Sequence, residues 1–282
     1  MKFLSSFTFV VGIAVVSGFI VGKVPYGNEI ATVALIIAMT LSISNISFKL
    51  SDFDKKKVGI ALAINYIFLT GVILAFSIPF RHTIFFSGMV AMAAAPPAVA
   101  VLPLTRIAGG NERLSLFALV LSYIAAIFIM PFLIYIFLAK LVSIFDLLKS
   151  VALLILLPML LSRFVKKDVS NEMINAFFFF VIFPIIGANR ILFLTDAKIL
   201  AMLSILMALR TIGSGTLVKK VMKKFGEKDA ISYSMFAAFK NEGLVMILSA
   251  SLFGGEAAIP AILATLFELG WVAIVEIMGD AL

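Results

Sequence analysis

The sequence predicts an all-α integral membrane protein: ten transmembrane helices in two inverted five-helix repeats, with helices four and nine broken and crossing. Three observations support this fold class: an apolar composition, ten apolar runs of membrane-spanning length, and a spacing of these runs that repeats after half the chain. Of the 282 residues, 63% are hydrophobic and 13% are charged, and the mean hydropathy is +1.18. Because soluble domains contain about 25% charged residues, this composition indicates a polytopic membrane protein.

The composition also excludes several functions. The chain has no cysteine, which rules out disulfides, cysteine-ligated metals and thiol catalysis. His82 is the single histidine, so no histidine cluster is available for a metal or a proton relay. The net charge of +8 comes from loops between apolar runs, the usual topogenic pattern, so nucleic acid is not expected as a partner. We expect no catalytic residue, metal or cofactor, and the lipid bilayer and a small-molecule solute as partners.

Ten runs are long enough to cross the roughly 30 Å of hydrocarbon in a bilayer. They lie near 4–21, 29–48, 58–78, 84–104, 114–138, 147–164, 174–192, 197–218, 230–253 and 257–279.

The loop charges predict the orientation. Fifteen lysines and arginines lie on one side of the predicted spans and six on the other. Since cytoplasmic loops carry the excess of positive charge, we expect both termini in the cytoplasm and the protein in the plasma membrane.

The two halves of the chain have the same layout. The starts of spans one to five precede those of spans six to ten by 139 to 146 residues, close to half the chain. With five spans in each half, the second half must enter the membrane in the opposite sense, an arrangement common in secondary transporters. We therefore predict a first repeat over 1–141 and a second over 142–282, interleaved in space into a panel and a core region.

The repeat requires equivalent interruptions in spans four and nine, and both are present. Span four contains Pro96 and Pro97, and each proline removes an amide donor, so we expect the carbonyls of Met92 and Ala93 to lose their helical partners. Span nine contains Lys240-Asn241-Glu242-Gly243, two charges and an amide followed by a helix-breaking glycine. Broken helices at corresponding positions of inverted halves indicate a transport site.

Charge at this depth is itself informative. An ionised lysine or glutamate at the centre of a membrane helix costs roughly 3 kcal/mol unless it faces protein, water or a partner. Lys240 and Glu242 are two residues apart and lie on different faces of a regular helix, so they do not pair within the helix. Contacts with neighbouring helices that only hold the bundle together are the alternative to a site.

Two segments resemble motifs of the bile acid:sodium symporter family. The segment from Arg106 to Ser115, RIAGGNERLS, is similar to that family's "ARGD…LS". Asn241-Glu-Gly-Leu244, followed by Ala250 to Ala261, ASLFGGEAAIPA, is similar to its "QNSGLAxxLA" and "FxPxAALPxAIF". The resemblance implies ten spans, crossed helices four and nine, and transport of an organic solute by alternating access.

The departures from the family pattern concern the sodium ligands. The family's ligands on helix four correspond to Val101 and Leu102, and those on helix nine to Phe236 and Lys240. Valine, leucine and phenylalanine side chains offer no oxygen to a hard cation. Of the side-chain ligands that the resemblance implies, Ser115 is retained. The sequence therefore predicts that the family's two sodium sites are absent.

Lys240 suggests a replacement for the ion. Its ammonium can supply the positive charge that sodium would have brought, either as a proton-coupling group, because burial favours release of its proton, or as a fixed counter-charge for an anionic substrate. The alternative is an ion pair with Glu268 at the centre of span ten. Arg210, past the middle of span eight, is expected to extend to the cytoplasmic interface.

These observations predict a secondary active transporter of a small organic, anionic solute, coupled to protons rather than sodium. The candidate binding or coupling residues are Lys240, Asn241, Glu242, Gly243, Pro96, Pro97, Glu268 and Ser115. A proton-linked antiporter or exporter of the wider superfamily is the alternative within transport. An intramembrane enzyme and a non-transporting paralogue are the alternatives from other classes. The sequence gives no prediction of the oligomeric state.

Overall fold

The computed structural model describes residues 7–44, 54–139, 141–165 and 169–280, which form helices with no strand among them. The helices of the first half are α1 Phe7–Val21, α2 Gly27–Ser44, α3 Lys55–Phe80, α4a Ile84–Ala94, α4b Val101–Ile107 and α5 Glu112–Leu138. Those of the second half are α6 Ile144–Leu161, α7 Asn171–Thr195, α8 Ala197–Phe225, α9a Glu227–Ala238, α9b Glu242–Phe253 and α10 Ile259–Asp280.

Every run in the sequence that is long enough to cross a membrane falls on one of these helices or on a pair of them. Seven helical stretches of the described chain are long and apolar enough to span a bilayer, and α1 and α4a are shorter apolar helices. Residues 4–6 and 45–48, which belong to the first two predicted spans, lie outside the described residues. The prediction of an all-helical membrane protein is confirmed.

The helices pack as two groups. Helices α1, α2, α6 and α7 form the panel, in which α7 packs along α1 and α2, and α2 packs on α6. The remaining helices form the core, in which α4a packs on α3, α5, α9b and α10, and α9a packs on α8, α3 and α5. Each group draws helices from both halves of the chain, so no single boundary along the sequence separates them.

The broken helices lie inside the core. In the most apolar window of Glu227–Phe253, 78% of residues are buried, against 28–50% in the other six candidate spans. Nine of the eleven residues of α4a are also buried. Residues on these two helices therefore face protein rather than lipid, which is the environment that a charge at membrane depth requires.

A further regularity links the halves. Helix α3 contains a π-helical segment at Ile64–Leu69, and α8 contains one at Leu209–Gly213. The two segments begin 145 residues apart, which matches the offset between the halves of the sequence. π-helical segments shift the register of side chains and are frequent at functional sites. Here they turn Asn65 and Arg210 toward the helix breaks.

Candidate functional site

Both broken helices open at the same place in the core. Helix α4a ends at Ala94, and Ala95 is extended with ψ 150°. Helix α9a ends at Ala238, and Phe239 is extended with φ −109° and ψ 133°. The two breaks touch, because the backbone N–H of Asn241 donates a hydrogen bond of 2.7 Å to the carbonyl of Pro96. The predicted meeting of interrupted helices four and nine is confirmed.

The prolines free carbonyl groups of α4a, as predicted for one of the two residues. The Ala93 carbonyl has no helical partner and accepts from the Thr70 hydroxyl at 2.7 Å and from the Lys240 ammonium at 3.1 Å. The Met92 carbonyl keeps a partner in a tighter turn, since it accepts from the Ala95 N–H at 3.2 Å. The prediction for Met92 was wrong because the last turn of α4a tightens before Pro96.

The Lys240 ammonium is enclosed by oxygen atoms. Lys240 is 0% exposed. Besides Ala93, the Ala95 carbonyl accepts from Nζ at 2.9 Å. Asn65 offers its side-chain oxygen at 3.0 Å and its carbonyl at 3.2 Å, and the Thr70 hydroxyl lies at 3.3 Å. We call these five oxygens of Asn65, Thr70, Ala93 and Ala95 the oxygen cage. An ammonium has three donors, so the cage offers more acceptors than it needs.

One more group faces the ammonium. The ring of Tyr66 lies 5.0 Å from Nζ, within the range of a cation–π contact. The atoms around Nζ are thus neutral oxygens and an aromatic face, an environment that favours a cation.

The freed carbonyls of α9a are satisfied from the opposite direction. The Asn65 amide donates to the Phe236 carbonyl at 2.9 Å and to the Phe239 carbonyl at 3.1 Å. Arg210 donates to the Ala238 carbonyl at 3.0 Å. Asn65 therefore serves both breaks, accepting from Lys240 and donating to α9a. Sequence reasoning missed Asn65, although it is an amide near the middle of an apolar span and lies 145 residues before Arg210.

Arg210 is the largest correction to the sequence analysis. It is fully buried and does not extend to an interface. Its Nη2 contacts Glu242 Oε1 in a very short ion pair, and its Nη1 donates to Glu268 Oε1 at 2.8 Å. The guanidinium turns inward because the π-helical segment rotates it toward two carboxylates, and a forked donor binds two such groups well.

Glu268 is also placed differently from one of the alternatives above. The pairing of the Lys240 ammonium with Glu268 is wrong, because the ammonium points away into the oxygen cage. Only the backbone N–H of Lys240 reaches Glu268 Oε1, at 3.1 Å. The Glu268 carboxylate thus caps the freed amide at the α9 break and neutralises Arg210.

Asn241, rather than Gly243, sets the start of α9b. The Asn241 side-chain oxygen accepts from the Leu244 N–H at 3.0 Å, the usual N-cap bond. Its amide nitrogen donates to the Tyr123 hydroxyl at 2.7 Å. Gly243 lies in the first turn of the helix that this cap begins, so its expected role as helix breaker is wrong; the chain opens before it, at Phe239–Asn241.

Ser115 lies apart from this network. It is buried at the start of α5, and its hydroxyl is 3.0 Å from the hydroxyl of Thr105 on α4b. It does not line the cavity beside the breaks. Within the described residues, no group of three or more His, Cys, Asp or Glu side chains could hold a metal ion.

A small cavity of about 50 Å³ lies next to the breaks, between core and panel. Its core wall is formed by Ala98–Ala100, Phe239–Gly243, Met246, Thr265 and Glu268, and its panel wall by Phe7, Phe178 and Ile182. Glu242 lines the cavity, and its Oε2 atom is buried without a hydrogen-bond partner in the described chain. The cavity is smaller than the 300–1,000 Å³ of a typical ligand pocket, so the panel and core lie close together.

One comparison with known proteins identifies the family. The model of the sodium bile acid symporter family matches residues 29–214, which run from α2 into α8 and include the α4 break. The α9 break lies beyond the matched residues. No curated protein matches the chain.

Proposed function

Since the chain belongs to the sodium bile acid symporter family, whose members are solute transporters and not enzymes, we propose that it is a secondary active transporter in which the Lys240 ammonium takes the place of a coupling sodium ion. The observation that carries this proposal is the oxygen cage, which is filled by Nζ. The solute is a small organic molecule that crosses by alternating access, and the coupling ion is a proton.

The cage has the chemistry of a hard-cation site. Sodium, like other hard cations, requires several oxygen ligands, and irregular backbone at a helix break supplies them as free carbonyls. Here two carbonyls of the α4 break, the Asn65 side chain and carbonyl, and the Thr70 hydroxyl are already bound to the ammonium. A tethered cation of this kind keeps the positive charge and the shape of the breaks at any sodium concentration.

The architecture supports alternating access. The paired π-helical segments and the paired breaks are consistent with an inverted repeat of 1–141 and 142–282, with ten spans and both termini in the cytoplasm of a plasma-membrane protein. The cavity lies on the surface where the panel meets the core, and its volume of about 50 Å³ would not hold an organic solute. We infer that the panel moves relative to the core to open the site to one side of the membrane at a time.

Thermal unfolding of the purified protein in detergent tests the replacement of sodium. A ligand that binds the folded state raises the unfolding midpoint by mass action. We expect the wild-type midpoint to be equal in sodium chloride and choline chloride. In Lys240→Ala the cage loses its cation, and we expect sodium chloride to raise the midpoint of this variant relative to choline chloride.

Lys240→Met is the matched control, because its side chain fills the space of the lysine without a charge and leaves no room for the ion. We expect no sodium effect in this variant. A wild-type midpoint that rises with sodium would overturn the proposal, because it would mean that the family's sodium sites are retained. Equal midpoints for Lys240→Ala in both salts would contradict the idea that the cage is a cation site.

Proton coupling has its own measurement. Proteoliposomes with an imposed pH gradient should show solute-dependent proton movement with the wild-type protein in the absence of sodium. No proton movement with any organic cation, anion or neutral solute would favour the non-transporting paralogue. Proton entry together with the solute identifies a symporter, and proton exit an antiporter or exporter.

A further inference from the structure

The cavity wall has one polar atom that the site leaves unsatisfied, and it is an acceptor. The Lys240 ammonium is engaged by the oxygen cage, and the Asn241 amide donates to Tyr123. The Thr265 hydroxyl donates to the Ala261 carbonyl at 2.9 Å. Glu242 is only 4% exposed, and its Oε2 atom has no hydrogen-bond partner. A buried acceptor without a donor costs free energy until a ligand supplies one.

The charge beside the cavity is also acidic. The carboxyl groups of Glu242 and Glu268 both line the cavity and lie within hydrogen-bonding reach of each other. Arg210 lies behind them and does not line the cavity, so its unpartnered Nε cannot meet a solute there. An anion in the cavity would approach two carboxylates and find no free donor.

The other groups around this carboxyl pair are fixed. Arg210 on α8 contacts both carboxylates, and the backbone N–H of Lys240 on α9 donates to Glu268. The wall from α4 is formed by Ala98–Ala100, and the panel wall by Phe7, Phe178 and Ile182, none of which is charged. With the Lys240 ammonium committed to its cage, the carboxyl pair can accept one more positively charged donor.

We propose that Glu242 and Glu268 form a binding site for a cationic hydrogen-bond donor, occupied in turn by a proton and by the ammonium or amidinium end of the solute. This deepens the proposed function and rests on it, and it changes the expected charge of the solute from anionic to cationic. When the solute's cation binds, the proton shared by the two carboxyl groups leaves, so the net charge of the site is unchanged. The solute and the proton compete for one site, which couples them as antiport.

The test uses two small probes of opposite charge, ethylammonium and acetate, with thermal unfolding in detergent at constant ionic strength from pH 6 to 9. We expect ethylammonium to raise the wild-type midpoint and acetate to leave it unchanged. Because a proton competes for the carboxyl pair, the apparent dissociation constant of ethylammonium should rise as the pH falls. The limit for one competing proton is about tenfold per pH unit.

Glu242→Gln keeps the shape of the side chain and still offers an oxygen to Arg210. We expect it to weaken ethylammonium binding at least about tenfold at pH 8, the loss of one charged partner, and to remove most of the pH dependence. Glu256→Gln is the control, because Glu256 is exposed and outside the cavity; its binding curve should match the wild type.

The outcomes separate this proposal from the proposed function. Stabilisation by acetate instead of ethylammonium, or ethylammonium binding that does not change with pH, overturns the cation site while the sodium-free transporter stands. Stabilisation of the wild type by sodium overturns the tethered cation, whatever ethylammonium does. Should Glu242→Gln fail to fold, the pH dependence of ethylammonium binding to the wild type decides the question.

Discussion

The two helix breaks share a backbone geometry and differ in chemistry. The α4 break, around Ala95, Pro96 and Pro97, has no polar side chain and contributes carbonyl oxygens. The α9 break contributes a cation, a carboxylate and an amide through Lys240, Glu242 and Asn241. One break is an acceptor surface and the other carries the charge that fills it.

This difference shows how a repeated scaffold can acquire a charged site. Each break must satisfy its own freed backbone groups, because buried unpaired groups are costly in lipid. The α4 break is satisfied by Lys240 and Asn241 from the other half, while the α9 break is satisfied by Asn65 from the first half and by Arg210 and Glu268 from the second. The halves are thus interdependent, and removing one charged residue should affect both.

The largest effect is expected for Arg210→Ala. This change leaves the carboxylates of Glu242 and Glu268 buried without their shared cation, and removing one partner of a buried charge network costs about 3–5 kcal/mol. We expect the free energy of unfolding in detergent to fall by that amount. Arg210→Lys should lose less, because an ammonium keeps the charge but not the forked geometry.

The matched control is Arg106→Ala. Arg106 pairs with Glu112 at 2.7 Å, and its side chain is 68% exposed. Exposed pairs contribute about 0–1 kcal/mol, so this variant should unfold within 1 kcal/mol of the wild type. Equal losses in Arg210→Ala and Arg106→Ala would mean that the α9 side of the core does not depend on its central charge network.

A second prediction compares glycines on the two broken helices. Gly88 on α4a lies against the backbone of Ala257, and a Cβ there would overlap the Ala257 carbonyl oxygen. Overpacking against rigid backbone costs about 1–3 kcal/mol, and Gly88→Ala should lose that much stability because α4a must shift. Gly243 on α9b has Leu35 Cδ1 as the nearest atom to an added Cβ, at 3.4 Å.

Gly243→Ala is therefore the control for Gly88→Ala. An ordinary van der Waals contact and the better helix propensity of alanine should leave its unfolding free energy within about 0.5 kcal/mol of the wild type, measured in the same detergent. A loss for Gly243→Ala as large as for Gly88→Ala would indicate that the glycine does shape the α9 break, as the sequence alone predicts.

The breaks could be predicted from the sequence because their signals are local. Pro96 and Pro97 remove donors wherever they lie, and a lysine and a glutamate in an apolar run are costly in any bilayer protein. The half-chain offset then paired the two breaks. The start of α9b was predicted less well, since Asn241 caps the helix and so leaves Gly243 inside it.

The partners at the breaks could not be predicted, because they depend on which way a helix faces. Arg210 would reach an interface on a regular α8, and only the π-helical segment at Leu209–Gly213 turns it inward. Whether Lys240 meets Glu268 or the oxygen cage depends on the rotation of α3, which no pattern in the sequence fixes. The inverted repeat did contain one usable signal, the 145-residue offset between Asn65 and Arg210.

The smallest effect is expected at the α4 break, for Thr70→Val. Valine keeps the shape of threonine but removes the hydroxyl that donates to the Ala93 carbonyl at 2.7 Å and faces the Lys240 ammonium. The Ala93 carbonyl still accepts from Lys240, so only one hydrogen bond is lost, about 1 kcal/mol. Thr40→Val in the panel is the control, because its hydroxyl bonds only within α2, to the Ile36 carbonyl, where removal should be nearly neutral. Unfolding free energies that fall equally in both variants would mean that the oxygen cage adds nothing to the core beyond ordinary helix packing.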